Sequence, residues 1–211
     1  YYKKLDNVID YIDAPDLEFN NHLENEILYG EGRAYGLELM LEKKLGKLTG
    51  WMAYTFARTE TLIKGFCAEE PGINNGLWYP NPQDKTHDIS IVAFYKFSNK
   101  WSFSSNFVFA TGIPTNYPVA KYQFEGLTVP HYNRSRNQNR LEDYHRLDFA
   151  ATYKPRGNDS REWVFSIYNA YNRKNASSLY FKESDDNPGQ TEAVQLSIFP
   201  IIPSVSYNFK F

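Results

Sequence analysis

Apolar and polar residues alternate along eight stretches of the chain, with the two-residue period of an extended strand. The clearest stretch lies near the end, where one face carries Val205, Tyr207, Phe209 and Phe211. The predicted strands are Lys4–Ile12, which alternates imperfectly, Ala34–Lys44, Leu48–Thr59, Thr86–Phe97, Trp101–Ala110, Tyr144–Lys154, Trp163–Tyr171 and Ala193–Phe211, the last broken by Pro200 and Pro203. This pattern predicts an all-β fold.

The connections between these strands are long and short in turn. The short turns are Gly46–Lys47, Ser98–Lys100 and Pro155–Ser160, and the long loops, predicted to be irregular, are Asp13–Arg33, Leu62–Lys85, Thr111–Asp143 and Asn172–Glu192. Transmembrane barrels have short periplasmic turns and long extracellular loops, and ten residues tilted by about 45° rise ~23 Å, close to their ~25 Å apolar band. The alternation of long and short connections therefore predicts a transmembrane antiparallel β-barrel, with all long loops at one end.

Composition agrees with this class. Aromatic residues make up 17% of the chain, yet mean hydropathy is -0.60, and no apolar run approaches the ~20 residues of a membrane-spanning helix. The net charge of -2 gives no basic field for nucleic acid, and Cys67 is alone, so no internal disulfide is expected. Because no Met or signal peptide precedes Tyr1, we expect a processed chain or, preferably, a fragment.

The phase of the alternation predicts which face meets lipid. Charged residues on the opposite face from the aromatic residues are expected to line the lumen: Glu38, Glu42, Arg146 and Asp148. An arginine facing lipid at mid-depth costs ~2–4 kcal/mol, so these positions fix the inner face. Aromatic residues beside the short turns are expected to form the periplasmic girdle: Phe97, Trp101, Tyr153, Trp163 and Phe211.

Several motifs occur in order along the chain: Gly32-Arg33-Ala34-Tyr35-Gly36-Leu37-Glu38-Leu39, Gly50-Trp51-Met52-Ala53-Tyr54-Thr55, Asp84-Lys85-Thr86-His87-Asp88, Ala110-Thr111-Gly112, Tyr144-His145-Arg146-Leu147-Asp148, Tyr168-Asn169-Ala170-Tyr171 and Ser206-Tyr207-Asn208-Phe209-Lys210-Phe211. Together they resemble the barrel of TonB-dependent outer-membrane transporters, especially those of Bacteroidetes. The resemblance covers nearly the whole chain and places it at the C-terminal end of such a transporter.

The resemblance implies a barrel of about 22 strands with a plugged lumen, of which residues 1–211 supply about eight. It implies import of a nutrient across the bacterial outer membrane, driven through TonB acting on a plug domain and TonB box that this sequence lacks. It also implies that Tyr207, Phe209 and Phe211 form the signal for the barrel assembly machinery. The same three residues fit a lipid-facing girdle. Outer-membrane lipid, lipopolysaccharide and a surface lipoprotein lid are further implied partners.

Candidate chemistry is sparse. His87 with Asp88, and His145 with Asp148, lie on opposite faces of their strands, so hydrogen bonding at strand ends is expected rather than catalysis. No cofactor or metal site is predicted, because His and Cys are not clustered and the acidic loop Asp13–Glu31 lacks a calcium-loop pattern. The sequence thus predicts no enzyme.

Two loop segments are candidates for ligand contact. Trp78 and Tyr79 are predicted to be an exposed aromatic surface for sugars or peptide side chains, with packing among the loops as the alternative. Arg134 and Arg136, with Arg140, form a basic cluster for an anionic ligand or lipopolysaccharide phosphates. Pairing of that cluster with Glu142 and Asp143 is the alternative.

Two other classes of protein remain open. Eight strands also close a small barrel, which favours a self-contained structural or adhesion protein. A barrel-type outer-membrane enzyme needs a Ser, His and acid group at one rim. The sequence does not identify the imported compound, because metal chelates, cobalamin, glycans and peptides all use such a wall.

Overall fold

The computed structural model describes residues 1–11, 27–65, 71–124, 127–132, 135–155, 160–187 and 189–210 of the chain. Eight long strands follow one another in an antiparallel sheet: β1 (Tyr2–Tyr11), β2 (Ile27–Lys43), β3 (Leu48–Ile63), β5 (His87–Lys96), β6 (Trp101–Ala110), β11 (Tyr144–Tyr153), β12 (Arg161–Tyr168) and β15 (Ile202–Phe209). The short strand β4 (Tyr79–Pro80) adds to β3. The predicted all-β fold and the alternation of long and short connections are confirmed.

The imperfect alternation in the first strand has a structural cause. Asn7 has a φ of 59° and the pairing register shifts between Asp6 and Val8, so a β-bulge reverses the phase of the faces. The second strand begins at Ile27, so the prediction of a loop up to Arg33 was wrong for its last seven residues, which pair with β1. Glycine and glutamate lower strand propensity there, but the pairing and the burial of Leu28 outweigh it. Residues 13–26 of that predicted loop, and Ile12 at the end of the predicted first strand, lie outside the described ranges.

The other long connections contain strands of their own, contrary to the prediction of irregular loops. Within Thr111–Asp143, β7 (Pro114–Thr115) pairs with β10 (Asn139–Arg140), and β8 (Pro118–Phe124) pairs with β9 (Leu127–Tyr132). A further hairpin joins β13 (Ser178–Glu183) to β14 (Thr191–Leu196). The predicted last strand therefore divides into β14 and β15 around Pro200, while Pro203 is accommodated in β15.

The chain divides into two compact units. Unit 1 comprises Tyr1–Leu37, Ala57–Thr86 and Gly112–Leu141, and unit 2 comprises Glu38–Phe56, His87–Thr111 and Glu142–Phe211. Among the described residues, the buried apolar side chains are Leu28, Ile63, Ile73 and Tyr79, all in unit 1. No helix in the described ranges is long and apolar enough to cross a membrane.

Unit 2 exposes one apolar face of its sheet. Residues in register across the strands form continuous apolar rows, of which one reads Leu48, Tyr95, Phe103, Ala151, Phe165 and Val205. Phe149 and Phe165 are 41% and 44% exposed, so they are not packed into a core. An exposed apolar surface of this extent marks a face that meets lipid or another apolar partner.

The opposite face of unit 2 is more polar. One row across it contains Phe94, Ser104, Ala150, Ser166 and Ser204. Arg146 and Asp148 lie in neighbouring rows of this face, paired in register with Val108 and Asn106. The predicted separation of an apolar face from a face that carries these charges is confirmed for unit 2.

Candidate functional site

A partly buried polar cluster in unit 1 surrounds Asp10, near the end of β1. The Arg136 guanidinium forms an ion pair with the Asp10 carboxylate and donates to the Tyr11 carbonyl. The Tyr79 hydroxyl donates to Asp10 Oδ2 at 2.8 Å. Asn74 holds the Arg136 backbone through bonds of 2.6 and 3.0 Å to its N–H and carbonyl. Residues 62 to 126 positions apart in the sequence are joined at this point.

Burial controls the chemistry of Tyr79. The side chain is only 2% exposed, and this burial, followed by the adjacent Asp10 carboxylate, raises the pKa of the Tyr79 hydroxyl. The phenol therefore stays protonated and remains a hydrogen-bond donor to Asp10 at neutral pH. We refer to Asp10, Asn74, Tyr79 and Arg136 as the Asp10 cluster.

A second cluster surrounds Asp84, whose side chain is 1% exposed. Its carboxylate accepts the Thr59 amide at 2.7 Å and forms an ion pair with Arg140. Arg140 also donates to the Gly112 carbonyl at 2.8 Å, and Arg58 Nη1 lies 3.5 Å from Asp84 Oδ2. A buried carboxylate is stabilised by such charged and N–H donors, so Asp84 joins β3 to both ends of the segment 112–140. We refer to these residues as the Asp84 cluster.

Asn137 provides a third attachment of the same segment. Its side-chain Nδ2 donates to the Pro80 carbonyl at 2.8 Å, and its backbone N–H donates to Asn116 Oδ1 at 2.6 Å. The residue has a φ of 58°, a left-handed conformation that asparagine tolerates better than most residues. Within the described residues, every buried side-chain nitrogen or oxygen has a hydrogen-bond partner. The segment is thus built into unit 1 by satisfied polar contacts.

Trp78 stacks against an ion pair on unit 1. The Arg33 guanidinium lies 4.2 Å from the Trp78 ring centroid and 2.8 Å from Glu60 Oε2. The Glu60 side chain is 16% exposed, which favours an ordered pair. Leu77, beside Trp78, is 66% exposed. An indole fixed by an arginine on one side is a rigid platform for an apolar or sugar surface on the other.

The structure separates the predicted ligand contacts. Trp78 is partly exposed, whereas Tyr79 is buried, so the predicted exposed aromatic surface is wrong for Tyr79. Arg136 is paired, but with Asp10 and not with Glu142 or Asp143 as the alternative expected. Arg134 lies outside the described residues. Ligand contact by the four residues stays a prediction.

Sequence reasoning missed Asp10 and Asp84 as the anchors of these loops. Asp84 opens one of the motifs that resemble the transporter barrel, but its spacing gives no indication of its partners, which lie 25 and 56 residues away. Asp10 follows the bulge in β1, which places it on a face that simple alternation does not predict.

The polar face of unit 2 carries a separate charged group. Arg146 lies 4.1 Å above the Tyr168 ring, donates to the Tyr144 and Tyr168 hydroxyls at 2.8 and 2.6 Å, and pairs with Asp148 at 2.9 Å. Asp148 in turn accepts the amide of the fully buried Asn169 at 3.0 Å. The group ties the strand wall to the turn that follows β12.

His87 and His145 form hydrogen bonds at strand ends, as predicted. His87 Nδ1 lies 2.9 Å from the Tyr54 hydroxyl, and His145 Nδ1 lies 2.7 Å from the Tyr171 hydroxyl. In the part of the chain that the structure describes, no three His, Cys, Asp or Glu residues are grouped as metal ligands.

Aromatic residues line the turn end of the apolar face in unit 2. Trp101 and Tyr153 are in register at a centroid distance of 4.7 Å, and Trp163 and Tyr207 at 4.6 Å. Phe209 stacks on Tyr207 at 5.8 Å and is 54% exposed. Phe211, predicted to belong to the same girdle and to the assembly signal, lies outside the described residues. The row is typical of an aromatic girdle at a membrane interface.

The family model described as TonB dependent receptor-like, beta-barrel matches residues 1–172. The chain therefore belongs to this family of TonB-dependent receptor barrels, whose members are outer-membrane transporters. Comparisons with curated proteins and with solved structures find no significant match.

Proposed function

We propose that this chain is the C-terminal portion of the barrel of a TonB-dependent transporter in a bacterial outer membrane, of the Bacteroidetes type. The apolar face of unit 2 contacts lipid, the polar face lines an aqueous lumen, and the long loops face the cell exterior. The observation that carries the proposal is the row of apolar residues across six strands, in which Leu48, Tyr95, Phe165 and Val205 are exposed. Further strands of the receptor complete the wall and a plug domain fills the lumen.

The protein imports a nutrient and makes or breaks no bond. TonB drives import by acting on the plug, and selectivity depends on the plug and the loops. The substrate classes that suit such a wall are metal chelates, cobalamin, glycans and peptides. A lipoprotein lid over the loops, lipopolysaccharide around them and the assembly machinery at β15 are the proposed partners.

In the loops we propose that Trp78 contacts the ligand directly, because its side chain is partly exposed and its ring lies against the Arg33 guanidinium. Arg134 and Arg136 add positive charge to the same loops. Arg136 and the buried Tyr79 also hold the segment 112–141 in place through Asp10. Exchange of Trp78 for alanine in the full receptor is expected to weaken import at low substrate concentration, measured as radiolabelled uptake by whole cells.

Neighbouring positions on one strand test the orientation of the wall. Spin labels are placed singly at Phe149 and at Ala150 in the full receptor, reconstituted in lipid bilayers, with Cys67 replaced by serine. Because successive side chains point to opposite faces, the label at 149 is expected to collide with oxygen dissolved in lipid. The label at 150 is expected to collide with a water-soluble nickel chelate. Equal access of the nickel chelate to both positions contradicts the proposed membrane wall.

The proposed assembly signal is tested separately. Exchange of Phe209 and Phe211 for serine is expected to reduce the amount of folded receptor in the outer membrane, measured as the heat-modifiable band on gels. Exchange of Lys210 for glutamine, between them, is the control and is expected to leave the folded amount unchanged. An unchanged amount of folded receptor after the double exchange contradicts the assembly role.

A further inference from the structure

A row of lysines crosses four strands at the turn end of unit 2. Lys47 precedes β3, Lys96 ends β5, Lys100 precedes β6 and Lys154 follows β11. Two backbone bonds place them side by side, because the Lys96 amide donates to the Lys47 carbonyl and the Lys154 amide donates to the Lys100 carbonyl, both at 2.8 Å. We refer to these four residues as the lysine row.

The lysine row lies on the polar face. Lys96 is in register with Ser102, and Ser102 with Thr152, which belong to the rows opposite the apolar ones. The same lysines line a recess of about 690 Å³, together with hydroxyl and amide groups of the turns such as Ser98 and Asn99. The recess therefore combines positive charge with neutral hydrogen-bonding groups and with Phe94 of the same face.

Three of these lysines have no acidic partner among the described residues. Lys154 lies 4.0 Å from Glu162. In the described ranges, no carboxylate forms an ion pair with Lys47, Lys96 or Lys100, all of which are exposed. Three unpaired ammonium groups beside one another repel, and an anionic partner relieves that repulsion.

The geometry decides the class of anionic partner. Four adjacent strands span about 14 Å, because neighbouring strands lie ~4.8 Å apart. A single phosphate is much smaller than this row, whereas four or five residues of an extended peptide, at ~3.3 Å each, match it. Lipid headgroups lie at the edge of the apolar face, which carries Trp101 and Tyr153, whereas the lysine row lies on the opposite face of the sheet.

We propose that the lysine row is a docking site for an acidic polypeptide segment, which reaches the wall from the aqueous side at the short turns. The proposal rests on the orientation of the wall under the proposed function, since it requires the polar face to meet water. The proposed docking site does not depend on the family assignment or on the Asp10 and Asp84 clusters of unit 1.

The probe is a fluorescent octapeptide of alternating glutamate and serine, added to the full receptor in neutral detergent. Binding is measured by fluorescence anisotropy for the wild type and for a Lys47→Gln, Lys96→Gln and Lys100→Gln triple variant. Three exposed charge pairs together change the affinity by about tenfold, so the triple variant is expected to bind about tenfold more weakly. The matched control removes three lysines outside the row, Lys43→Gln, Lys44→Gln and Lys64→Gln, and is expected to bind like the wild type.

A second measurement needs no variant. The peptide is expected to protect Lys47, Lys96 and Lys100 of the wild-type receptor from acetylation, detected by mass spectrometry, while Lys43 is modified at its usual rate. Equal binding by wild type and triple variant, or absence of this protection, overturns the proposal. Displacement of the peptide by inorganic phosphate at matched ionic strength, or by phosphatidylglycerol in the micelles, also overturns it in favour of those ligands. The spin-label pattern at 149 and 150 is a separate readout, so failure of the docking site is distinguishable from failure of the membrane wall.

Discussion

Asp84 offers the sharpest test of how the loops of unit 1 are held. The Asp84→Asn exchange keeps a side-chain oxygen for the Thr59 amide but removes the charge that faces Arg140. Removing one partner of a buried ion pair costs ~3–5 kcal/mol. The Arg140 side chain is 27% exposed, so water solvates part of it, and we expect a smaller loss of about 2 kcal/mol. The Asp84→Ala exchange also removes the acceptor for Thr59, which adds ~1–3 kcal/mol.

Local opening of the loop measures this loss. At ~1.4 kcal/mol per factor of ten, Asp84→Asn is expected to raise the opening equilibrium of residues 112–141 about 30-fold, and Asp84→Ala further. Hydrogen exchange of peptides from this segment, followed by mass spectrometry on the full receptor, reports the change. Glu142→Gln is the control, because Glu142 is 68% exposed and 3.8 Å from Arg173, and surface changes of this kind stay within ~0.5 kcal/mol.

The pattern of protection decides between two explanations of loop order. If the Asp84 cluster holds the segment, exchange rises from its two ends, where Gly112 and Arg140 are joined by a bond of 2.8 Å. Protection that is the same in Asp84→Asn and Glu142→Gln refutes the reasoning. That result assigns the order of the loop to the apolar contacts of Leu28, Ile63 and their neighbours instead.

Three further changes test other parts of the fold. Tyr79→Phe removes the hydroxyl that donates to Asp10, and the raised pKa of that hydroxyl keeps it protonated. The stabilisation by this hydrogen bond is complete below the unfolded pKa of ~10 and is lost as pH rises through the folded pKa. Relative to the wild type, the variant is therefore expected to show faster hydrogen exchange of the loop at pH 8 and a smaller increase in exchange under strong alkali. Gly50→Ala is expected to lower the melting temperature in detergent more than Gly46→Asn does, because a Cβ at position 50 lies 2.1 Å from the carbonyl oxygen of residue 92 at a φ of 151°. At position 46 the φ of 98° strains the backbone of the variant, but a Cβ there meets no atom within 4 Å. Equal melting temperatures of the two variants contradict this order. Phe149→Arg on the apolar face is expected to cost ~2–4 kcal/mol and to reduce the amount of folded receptor in the membrane, whereas Ala150→Arg on the polar face is expected to be tolerated. The folded amount is measured as the heat-modifiable band on gels. More folded receptor for Phe149→Arg than for Ala150→Arg contradicts the assigned faces.

The sequence by itself determined the eight long strands of the sheet, apart from the first seven residues of β2, together with the order of long and short connections and the two faces of unit 2. These features depend on the two-residue period, which is local, and on the cost of placing charges such as Arg146 in lipid. The hydrogen bonds of His87 and His145 at strand ends were likewise predictable, since each is the second residue of its predicted strand.

The tertiary structure alone decided how the loops of unit 1 are held. Asp10 and Arg136 are 126 positions apart, and Asp84 and Arg140 are 56 apart, so no local pattern connects them. The bulge at Asn7 changes the face on which Asp10 lies, and pairing with β1 makes a strand of residues 27–33 despite their weak propensity. Long-range pairing and burial outweigh local preference at these places. A carboxylate that is removed from water must be paired to offset the cost of burial, and its partner can lie at any distance along the sequence.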